Sequence, residues 1–309
     1  ASEFGFQSFP SVKTLETVTD DPKELNPFSY VMEKHQRNYG GNGKIAKYMQ
    51  AAYRYPENFS DFVYASQLLQ ADGIRYGVEH YRRNRGRCMG AIYWQLNDCW
   101  PVISWSSIDY YGRWKALHYY AKRFFAPVML SCEEQSWMTV EADMNRQHFE
   151  FEKSIRLNVT NETLDAHRVL VKWAVRKTDA TILREEEQWL EVPALSAVWM
   201  DKVELPQIDC FNEYVSYEAW ENDQIISQGT VIFSYPKYFH YLNPGLAVRV
   251  DGDEIVVKAE AYAKSVEIRN ENDDLILEDN YFDMNAGEYR VKILDGKPDG
   301  LKVRSVYDI

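Results

Sequence analysis

Glu3 lies in a setting that suits a catalytic carboxylate, between small and aromatic residues near the beginning of the sequence. Gly5 and Pro10 follow it and predict the end of any strand to which it belongs. A carboxylate at the carboxyl end of a buried strand is the usual way in which an α/β barrel presents a catalytic group. Taken alone the signal is weak, because a single Glu in apolar surroundings is more often a salt-bridged structural residue.

A second group of aromatic and polar residues follows later in the chain. It reads Trp94-Gln95-Leu96-Asn97-Asp98-Cys99-Trp100-Pro101. Aromatic faces that cover a sugar ring, beside amide and carboxylate groups that bind its hydroxyls, are typical of a carbohydrate site. The alternative is a loop of packed tryptophans with capping aspartates, and this alternative fits Trp105 and Asp109 best.

Two helices are predicted between these groups. Residues 42–55 carry apolar side chains at helical spacing, and Pro56 ends the pattern. A second helical pattern begins near Ser60, which we predict as its N-cap. Gly86 can close that helix after an arginine-rich last turn, where positive charge suits the helix dipole.

An apolar run without alternation, residues 88–94, connects the second helix to the tryptophan-rich group. This run predicts a strand that is buried on both faces, as in parallel sheets. Another helix is predicted from Trp114 to Phe124, ending before Pro127. A fully buried strand between helices indicates an α/β barrel or an α/β sheet.

The hydrophobic pattern changes to period two after Pro127. Ile155, Leu157 and Val159 alternate with polar residues, and several similar short runs follow between turn signals, which is typical of a β-sandwich. A second punctuation near Tyr235 precedes a smaller all-β unit. The predicted domains are therefore residues 1–126, 127–235 and 236–309.

The composition fits a multi-domain globular protein of 309 residues. The formal charge of −12 argues against nucleic acid or an anionic membrane as a partner, because both attract basic surfaces. No stretch reaches the ~20 apolar residues of a membrane span. The six histidines show no metal-type spacing, so no metal is predicted. The four cysteines include no CxxC pair and are expected to be reduced and mostly buried.

The segment around Glu3, Ser2-Glu3-Phe4-Gly5-Phe6-Gln7, resembles the nucleophile motif of glycoside hydrolase family 2, and of its β-mannosidase branch in particular. Residues 90–101 are similar to the family's eighth barrel strand and the loop after it. The resemblance implies a multi-domain α/β plus all-β fold. In such a fold the C-terminal part of a (β/α)8 TIM barrel is followed by two immunoglobulin-like β-sandwich domains.

What the resemblance implies for activity is the retaining, exo-acting hydrolysis of terminal β-D-mannose residues. Glu3 would be the nucleophile that forms a glycosyl-enzyme, and a second carboxylic acid would serve as acid and then base. Trp94 matches the family's tryptophan that packs under the sugar in the cleavage subsite. Asp98 and Trp100 are further substrate-binding candidates, with shaping of the loop as their alternative role. The resemblance implies no metal and no cofactor.

The sequence departs from the family in its acid/base residue. That residue lies in an Asn-Glu motif before the nucleophile, whereas the Asn-Glu pairs here begin at Asn161, Asn212 and Asn270, in the β-rich part. Two predicted barrel strands also cannot close an eight-stranded barrel. We therefore expect a C-terminal piece of a longer enzyme that is inactive alone and whose partner is the N-terminal part of the same enzyme.

Two other functions remain open on these grounds. Another family 2 glycosidase, such as a β-galactosidase, a β-glucuronidase or an exo-glucosaminidase, would share the architecture and differ in the sugar. A non-catalytic pair of carbohydrate-binding β-domains belongs to a different functional class. The compartment also stays open between the cytoplasm, the lysosome and an extracytoplasmic space.

Two smaller signals carry little functional weight. Glycosylation sequons begin at Asn158 and Asn161, and Asn158 lies in an alternating strand pattern. The arginine-rich stretch 82–87 fits a helix end with nearby carboxylates better than a nucleic-acid surface.

Overall fold

A computed structural model describes residues 3–140 and 151–309 of the chain. The chain divides into two compact units that do not follow the order of the sequence. Unit 1 contains residues up to 77 together with 91–122 and 243–309, and unit 2 contains residues 78–90 and 123–242. Unit 1 therefore joins the segments of Glu3 and Trp94 to the last part of the sequence.

Five α-helices lie in the described part of the chain. They span Val12–Leu15 (α1), Tyr30–Lys34 (α2), Gly41–Ala52 (α3), Phe59–Arg83 (α4) and Ala116–Phe124 (α5). Single 3-10 turns lie at Pro22–Glu24, Pro236–Tyr238 and Val306–Asp308. The predicted helices before Pro56 and before Pro127 are confirmed as α3 and α5. The first of them ends at Ala52 because Tyr53 is already extended.

Helix α4 begins at Phe59, earlier than a cap at Ser60 allows. The side-chain oxygen of Asn58 accepts the backbone N–H of Asp61 at 3.0 Å, so Asn58 caps the helix. The prediction of Ser60 as the N-cap is wrong. Ser60 lies inside the first turn, where its hydroxyl accepts a hydrogen bond from Arg304 at 3.1 Å.

The apolar segment 88–94 differs from the predicted strand that is buried on both faces. Tyr93 forms a single parallel bridge with Phe4, and exposure alternates from Gly90 to Trp94. Ile92 is 64% exposed and Trp94 is 49% exposed, whereas Tyr93 between them is half-buried. An apolar run without alternation cannot distinguish burial on two faces from burial on one. In this segment only the face that carries the Tyr93 side chain is covered by the protein.

The strands of unit 2 form two antiparallel sheets. They are Val128–Gln135 (β1), Ser154–Asn161 (β2), His167–Lys177 (β3), Ile182–Val192 (β4), Ser196–Trp199 (β5), Val203–Glu204 (β6), Glu213–Glu221 (β7) and Gln224–Ile232 (β8). One sheet has the order β1-β2-β5, with β6 also paired to β2, and the other has the order β4-β3-β7-β8. The alternating runs after Pro127 are therefore confirmed as strands.

The core of unit 2 is built from the alternate residues that the sequence pattern marked. Ile155, Leu157 and Val159 of β2 are all buried in one apolar cluster. Asn158 and Asn161 are also fully buried, and each lies in β2. Glycosylation requires an accessible side chain, so neither sequon is available in this fold.

The arginine-rich end of α4 is buried rather than presented as a basic surface. Arg82 donates to the carbonyl oxygen of Phe124 at 2.7 Å, and Arg83 donates to that of Cys132 at 3.3 Å. Burial lowers the pKa of Arg82. These contacts support the interpretation of this stretch as a helix end with bonded arginines. Cys132 is the buried one of four free cysteines, and Cys99 is exposed, so the expectation of mostly buried thiols is wrong.

The last part of unit 1 is a smaller β-domain. Its strands are Ala247–Asp251 (β9), Glu254–Ala259 (β10), Ala263–Arg269 (β11), Ile276–Leu277 (β12), Phe282–Met284 (β13), Gly287–Asp295 (β14) and Lys302–Arg304 (β15). They form two antiparallel sheets, of order β12-β14-β10-β9 and β13-β11-β15. Gly252, with φ of +67°, supplies the positive backbone angle of the hairpin between β9 and β10.

This β-domain packs on the first half of α4 within unit 1. The hydroxyl of Tyr64 donates to the carbonyl oxygen of Ser265 at 2.5 Å. Arg304 binds Asp61 at 3.0 Å, forms an ion pair with Glu267, and holds its guanidinium 4.4 Å from the centre of the Tyr64 ring. A network of buried charges and aromatic rings thus fixes the helix to the β-domain.

Candidate active site

The segment of Glu3 lies directly beside the segment of Trp94. The backbone N–H of Phe4 donates to the carbonyl oxygen of Ile92 at 3.2 Å, and the N–H of Trp94 donates to that of Phe4 at 2.8 Å. The two segments run parallel at this point. The sequence predicted that Glu3 and Trp94 belong to one site, and the backbone brings their segments together.

Glu3 and Trp94 share one face of this pairing. Phe4 directs its ring at Gly77 of α4, and Tyr93 directs its hydroxyl at Ser107. Since successive side chains of extended segments point to opposite sides, Glu3 and Trp94 point away from these contacts. Both are exposed, so one open face carries both a carboxylate and an indole ring.

Gly5 allows the close approach of the two segments. A Cβ atom at this position would lie 2.5 Å from the carbonyl oxygen of Trp94 and 2.8 Å from Cδ1 of Trp105. Such contacts are shorter than any side chain tolerates, so the glycine two positions after Glu3 is a packing requirement. The glycine of the Glu3 motif thereby sets the distance between the strand and the tryptophan loop.

The loop after Trp94 is held by backbone hydrogen bonds to the segment that precedes α5. The peptide bond between Trp94 and Gln95 is cis. The N–H of Gln95 donates to the carbonyl oxygen of Trp105 at 3.2 Å, and the N–H of Ser107 donates to that of Gln95 at 3.0 Å. The two ends of the loop that carries the exposed indole are thus joined by backbone hydrogen bonds.

Asp98 accepts hydrogen bonds from three side chains of its own loop. Ser104 and Ser106 donate their hydroxyls to one carboxylate oxygen at 2.9 and 2.5 Å, and the Gln95 amide donates to the other at 3.1 Å. The side chain is buried. The structure therefore places this predicted sugar ligand inside the loop, with both oxygens already bonded to the protein.

The Trp100 ring packs against two other side chains, an imidazole and a guanidinium. His35 stacks on it at a centroid distance of 5.0 Å, and the Arg37 guanidinium lies 4.3 Å from the ring centre. The His35 ring in turn bonds the carbonyl oxygen of Pro101 at 2.6 Å. Trp100 thus anchors the far end of the loop to the segment after α2.

Two glutamines of α4 bind the backbone of the Glu3 segment. Gln70 accepts the hydroxyl of Ser8 at 2.7 Å and donates to the carbonyl oxygen of Phe6 at 2.8 Å. Gln67 donates to the carbonyl oxygen of Phe9 at 3.1 Å. Sequence reasoning missed both residues. The available signal was a pair of polar side chains on the otherwise apolar face of a helix.

A chain of hydrogen bonds also links Tyr93 to α5. The Tyr93 hydroxyl lies 2.9 Å from the Ser107 hydroxyl, which lies 3.2 Å from Nδ1 of His118. Burial raises the pKa of Tyr93 and lowers the pKa of His118, so both groups are held neutral at pH 7. The chain therefore fixes the orientation of the strand that ends in Trp94.

Lys115 is a further charged group close to the two segments. Its ammonium lies 3.4 Å from the carbonyl oxygen of Ser8 and 3.5 Å from that of Ser104. The side chain is 1% exposed. Burial lowers its pKa to about 7, against the opposite effect of the Asp98 and Asp109 carboxylates.

The described residues hold no group of three or more His, Cys, Asp or Glu side chains that could bind a metal ion. Within residues 3–140 and 151–309, no helix is long and apolar enough to cross a membrane. The described part of the site offers an exposed carboxylate and an exposed indole face, held by hydrogen bonds of their segments.

Comparison with known proteins gives matches over nearly the whole chain. Residues 153–238 match a family described as a mannosidase Ig/CBM-like domain, and residues 241–309 match an Ig-fold domain. The β-mannosidase B of Thermothelomyces thermophilus is 30% identical over 99% of this chain and 38% of its own length. The β-mannosidase of Capra hircus is 39% identical over 41% of this chain and 16% of its own length.

Solved structures show the same relationship. The β-D-mannosidase of Dictyoglomus thermophilum has a TM-score of 0.83 and 25% identity, over 98% of this chain and 37% of that one. The exo-chitosanase of Amycolatopsis orientalis has a TM-score of 0.65 at 15% identity, over 97% of this chain and 41% of that one, which shows the shared fold.

The two β-rich parts of the chain are therefore immunoglobulin-like domains of the kind found in mannosidases. The chain spans 38% of the length of its fungal relative and 37% of that of the bacterial structure. It is a homologue of the β-mannosidases of glycoside hydrolase family 2, and it corresponds to their C-terminal part.

Proposed function

We propose that the protein to which this chain belongs is a retaining, exo-acting β-mannosidase and that Glu3 is its nucleophile. The observation that carries the proposal is the shared open face of Glu3 and Trp94, set by the backbone pairing of Phe4 with Ile92 and Trp94. The relatives that match the chain over its length are named β-mannosidases, which supports mannose as the sugar.

In this proposal Glu3 attacks the anomeric carbon of a terminal β-D-mannose residue and forms a glycosyl-enzyme ester. A second carboxylic acid protonates the leaving oxygen, and its carboxylate then takes a proton from the water that cleaves the ester. Retention of configuration requires the two carboxyl groups to lie ~5–5.5 Å apart. Trp94 supplies an apolar face under the sugar ring.

We also propose how the chain contributes to the whole enzyme. Residues 1–126 form the C-terminal part of a (β/α)8 barrel, and residues 127–235 and 236–309 form the two immunoglobulin-like domains. The acid/base residue then belongs to a part of the enzyme outside this chain, since Asn161 is buried in a sandwich strand and Glu162, which follows that strand, pairs with Arg85 at 3.0 Å. On this basis the 309-residue chain alone does not hydrolyse β-mannosides.

Asp98 and Trp100 are assigned a supporting role. The Asp98 carboxylate accepts three hydrogen bonds, and the Trp100 ring is covered by His35 and Arg37. We propose that both residues hold the loop that presents Trp94. Asp98→Asn is then expected to speed amide hydrogen exchange in residues 94–107. An unchanged exchange rate with a raised KM would instead identify Asp98 as a sugar ligand.

The identity of the sugar is the main alternative. The exo-chitosanase shares the fold, so the fold alone does not select mannose over glucosamine or galactose. The discriminating contacts are those to the hydroxyls at C2 and C4 of the sugar. A pair of carbohydrate-binding domains without catalysis is the other alternative, and it predicts binding of mannobiose without turnover.

The test uses the full-length protein that contains this chain and a panel of nitrophenyl β-glycosides. We expect preference for the β-mannoside, loss of turnover in Glu3→Gln, and normal turnover in Glu16→Gln, an exposed glutamate paired with Lys13. A 2-deoxy-2-fluoro-β-mannosyl fluoride should label the peptide that contains Glu3, as read by mass spectrometry. Labelling of another residue contradicts the nucleophile, and preference for another sugar contradicts the β-mannosidase.

A further inference from the structure

Lys115 lies where the Glu3 segment meets the tryptophan loop. Its ammonium is 3.4 Å from the carbonyl oxygen of Ser8 and 3.5 Å from that of Ser104. Ser8 follows Glu3 on the same segment, and Ser104 closes the loop that begins at Trp94. The Ser8 N–H also donates to the Ser104 carbonyl oxygen at 3.0 Å. Lys115 therefore bridges the two segments at their second backbone contact, between Ser8 and Ser104.

The backbone of Lys115 is itself fixed. Its N–H donates to the carbonyl oxygen of Ser107 at 2.9 Å, and helix α5 begins at the next residue. Ser104 is fixed from the other side, because its hydroxyl donates to the buried Asp98 carboxylate. Because the Lys115 backbone and the Ser104 residue are both fixed, the lysine side chain is restricted to these hydrogen-bond partners.

Packing alone does not account for a lysine at this position. An ammonium removed from water is destabilising unless it is paired, and an apolar side chain of similar volume is often as stable or more so. The opposite charges that face Lys115 are the carboxylates of Asp98 and Asp109, and they offset the desolvation only in part, since the pKa falls to about 7. A group that lowers stability and joins two site segments is a candidate for a functional role.

We propose that Lys115 is a positioning residue of the glycosidase site. Its amino group donates to the Ser8 and Ser104 carbonyl oxygens and thereby sets Glu3 and Trp94 relative to each other. This assignment rests on the proposed function, in which Glu3 attacks a sugar that lies on Trp94.

The consequence is a specific kinetic effect. A displacement of the nucleophile of about 1 Å lowers the rate of a positioned reaction by up to about 100-fold, while binding of the sugar changes less. Loss of the ammonium should therefore reduce kcat more than it raises KM. Formation of the glycosyl-enzyme is the step that depends directly on the position of Glu3.

The experiment compares Lys115→Met with Lys264→Met in the full-length protein. Lys264 is a matched control, because it is also buried in unit 1 but binds Asp283 at 3.2 Å in the β-domain. The measurements are the rate of labelling by the fluorinated mannosyl fluoride at saturation, kcat and KM on the β-mannoside, and amide hydrogen exchange.

In Lys115→Met we expect labelling to slow by about 10- to 100-fold, with KM changed less than about threefold. Exchange should speed up in residues 4–9 and 103–107 and stay unchanged in 263–284. Lys264→Met should show the reverse exchange pattern with a labelling rate near that of the wild type. Equal slowing in both variants, or wild-type labelling and exchange in Lys115→Met, overturns the proposal.

Lys115→Gln keeps the test decisive if the Met variant does not fold. Its amide still donates hydrogen bonds but is one bond shorter and uncharged, so it cannot reach both carbonyl oxygens. We expect intermediate labelling and exchange rates, and wild-type rates in this variant overturn the proposal. A wild-type protein that cleaves no β-glycoside contradicts the proposed function instead. The hydrogen-exchange data then test separately whether Lys115 holds the Ser8 and Ser104 segments together.

Discussion

The ring of Phe4 packs against Gly77 of α4 so closely that a Cβ atom at position 77 would lie 2.8 Å from Cε2 of the ring. Phe4 is the residue after Glu3, and its backbone bonds Ile92 and Trp94. The helix therefore contacts the residue next to the candidate nucleophile through this aromatic ring, and a glycine in the helix makes room for the ring.

Gly77→Ala is expected to push the Phe4 ring and to loosen the Glu3 segment. Overpacking of this kind destabilises by about 1–3 kcal/mol. Gly73, one turn earlier on α4, is the matched control, since its Cβ would lie 3.6 Å from the ring of Phe6 in ordinary contact. Gly73→Ala should instead stabilise the helix by about 0.5–1 kcal/mol.

Hydrogen exchange of α4 peptides measures both changes locally, which suits a multi-domain protein that does not unfold in one step. A Gly77→Ala protein as stable and active as Gly73→Ala would show that the Phe4 ring has space to move.

Trp94 and Trp100 should respond differently to removal. Trp94 is 49% exposed, so Trp94→Ala is expected to lower kcat/KM on a β-mannoside by about tenfold or more with little loss of stability. Trp100→Ala leaves His35 and Arg37 without their ring partner and should lower the thermal midpoint as well. Kinetics and thermal unfolding of the two variants check the distinction, and a loss of stability in Trp94→Ala alone would reverse it.

The ion pair of Arg304 should matter far more than a similar pair on the surface. Arg304→Met removes the ion-pair partner of the buried Glu267 carboxylate, which costs about 3–5 kcal/mol. Arg290 is the control, since it is exposed and pairs with Asp251 and Glu254. Arg290→Met should change stability little, because exposed ion pairs are screened by solvent. Exchange in β11 and β15 reports the difference, and equal effects of the two substitutions would contradict the burial argument.

The stability of unit 1 should depend on pH through Lys115. Burial lowers the pKa of its ammonium from 10.5 to about 7 in the folded protein, so between these values the unfolded chain binds a proton that the folded chain does not. The free energy of unfolding of the wild type relative to Lys115→Met should therefore rise with pH from 7 to 10, by up to about 1.4 kcal/mol per pH unit.

Comparison with the Met variant cancels the other titrating groups, among them Tyr64 and Tyr281, whose pKa values are raised by burial. Exchange of peptides 103–107, corrected for its intrinsic pH dependence, measures the difference. A flat difference between pH 7 and 10 would show that Lys115 is solvated.

Local patterns were enough to predict most elements of the fold. The period-two runs through Ile155 and Leu157 became β2, because alternation depends only on the strand and one covered face. Helix α3 ends at Ala52, ahead of the predicted stop at Pro56, because the backbone is already extended at Tyr53. The capping of α4 by Asn58 was missed because Ser60 offers the same chemistry two residues later.

The candidate site was predictable only in its exposed residues. Glu3 and Trp94 could be named from their motifs, and the comparisons support the family to which those motifs belong. Lys115, Gln67 and Gln70 could not, because their roles depend on which carbonyl groups the fold brings to them. Asp98 was identified as functional from its residue type. Its buried position depends on hydrogen bonds from Ser104 and Ser106, which lie six and eight residues later and which a local sequence pattern does not predict.

Helix α4 is held to the β-domain by partners that lie very far along the chain. Ser60 and Arg304 are separated by 244 positions, and Tyr64 and Ser265 by 201. At the ribosome, synthesis of 244 residues takes roughly 12 to 50 s at 5–20 residues per second. During that interval the face of α4 that later binds the β-domain has no partner to cover it. Newly made protein should therefore expose this helix to chaperones and proteases until Arg304 has left the ribosome.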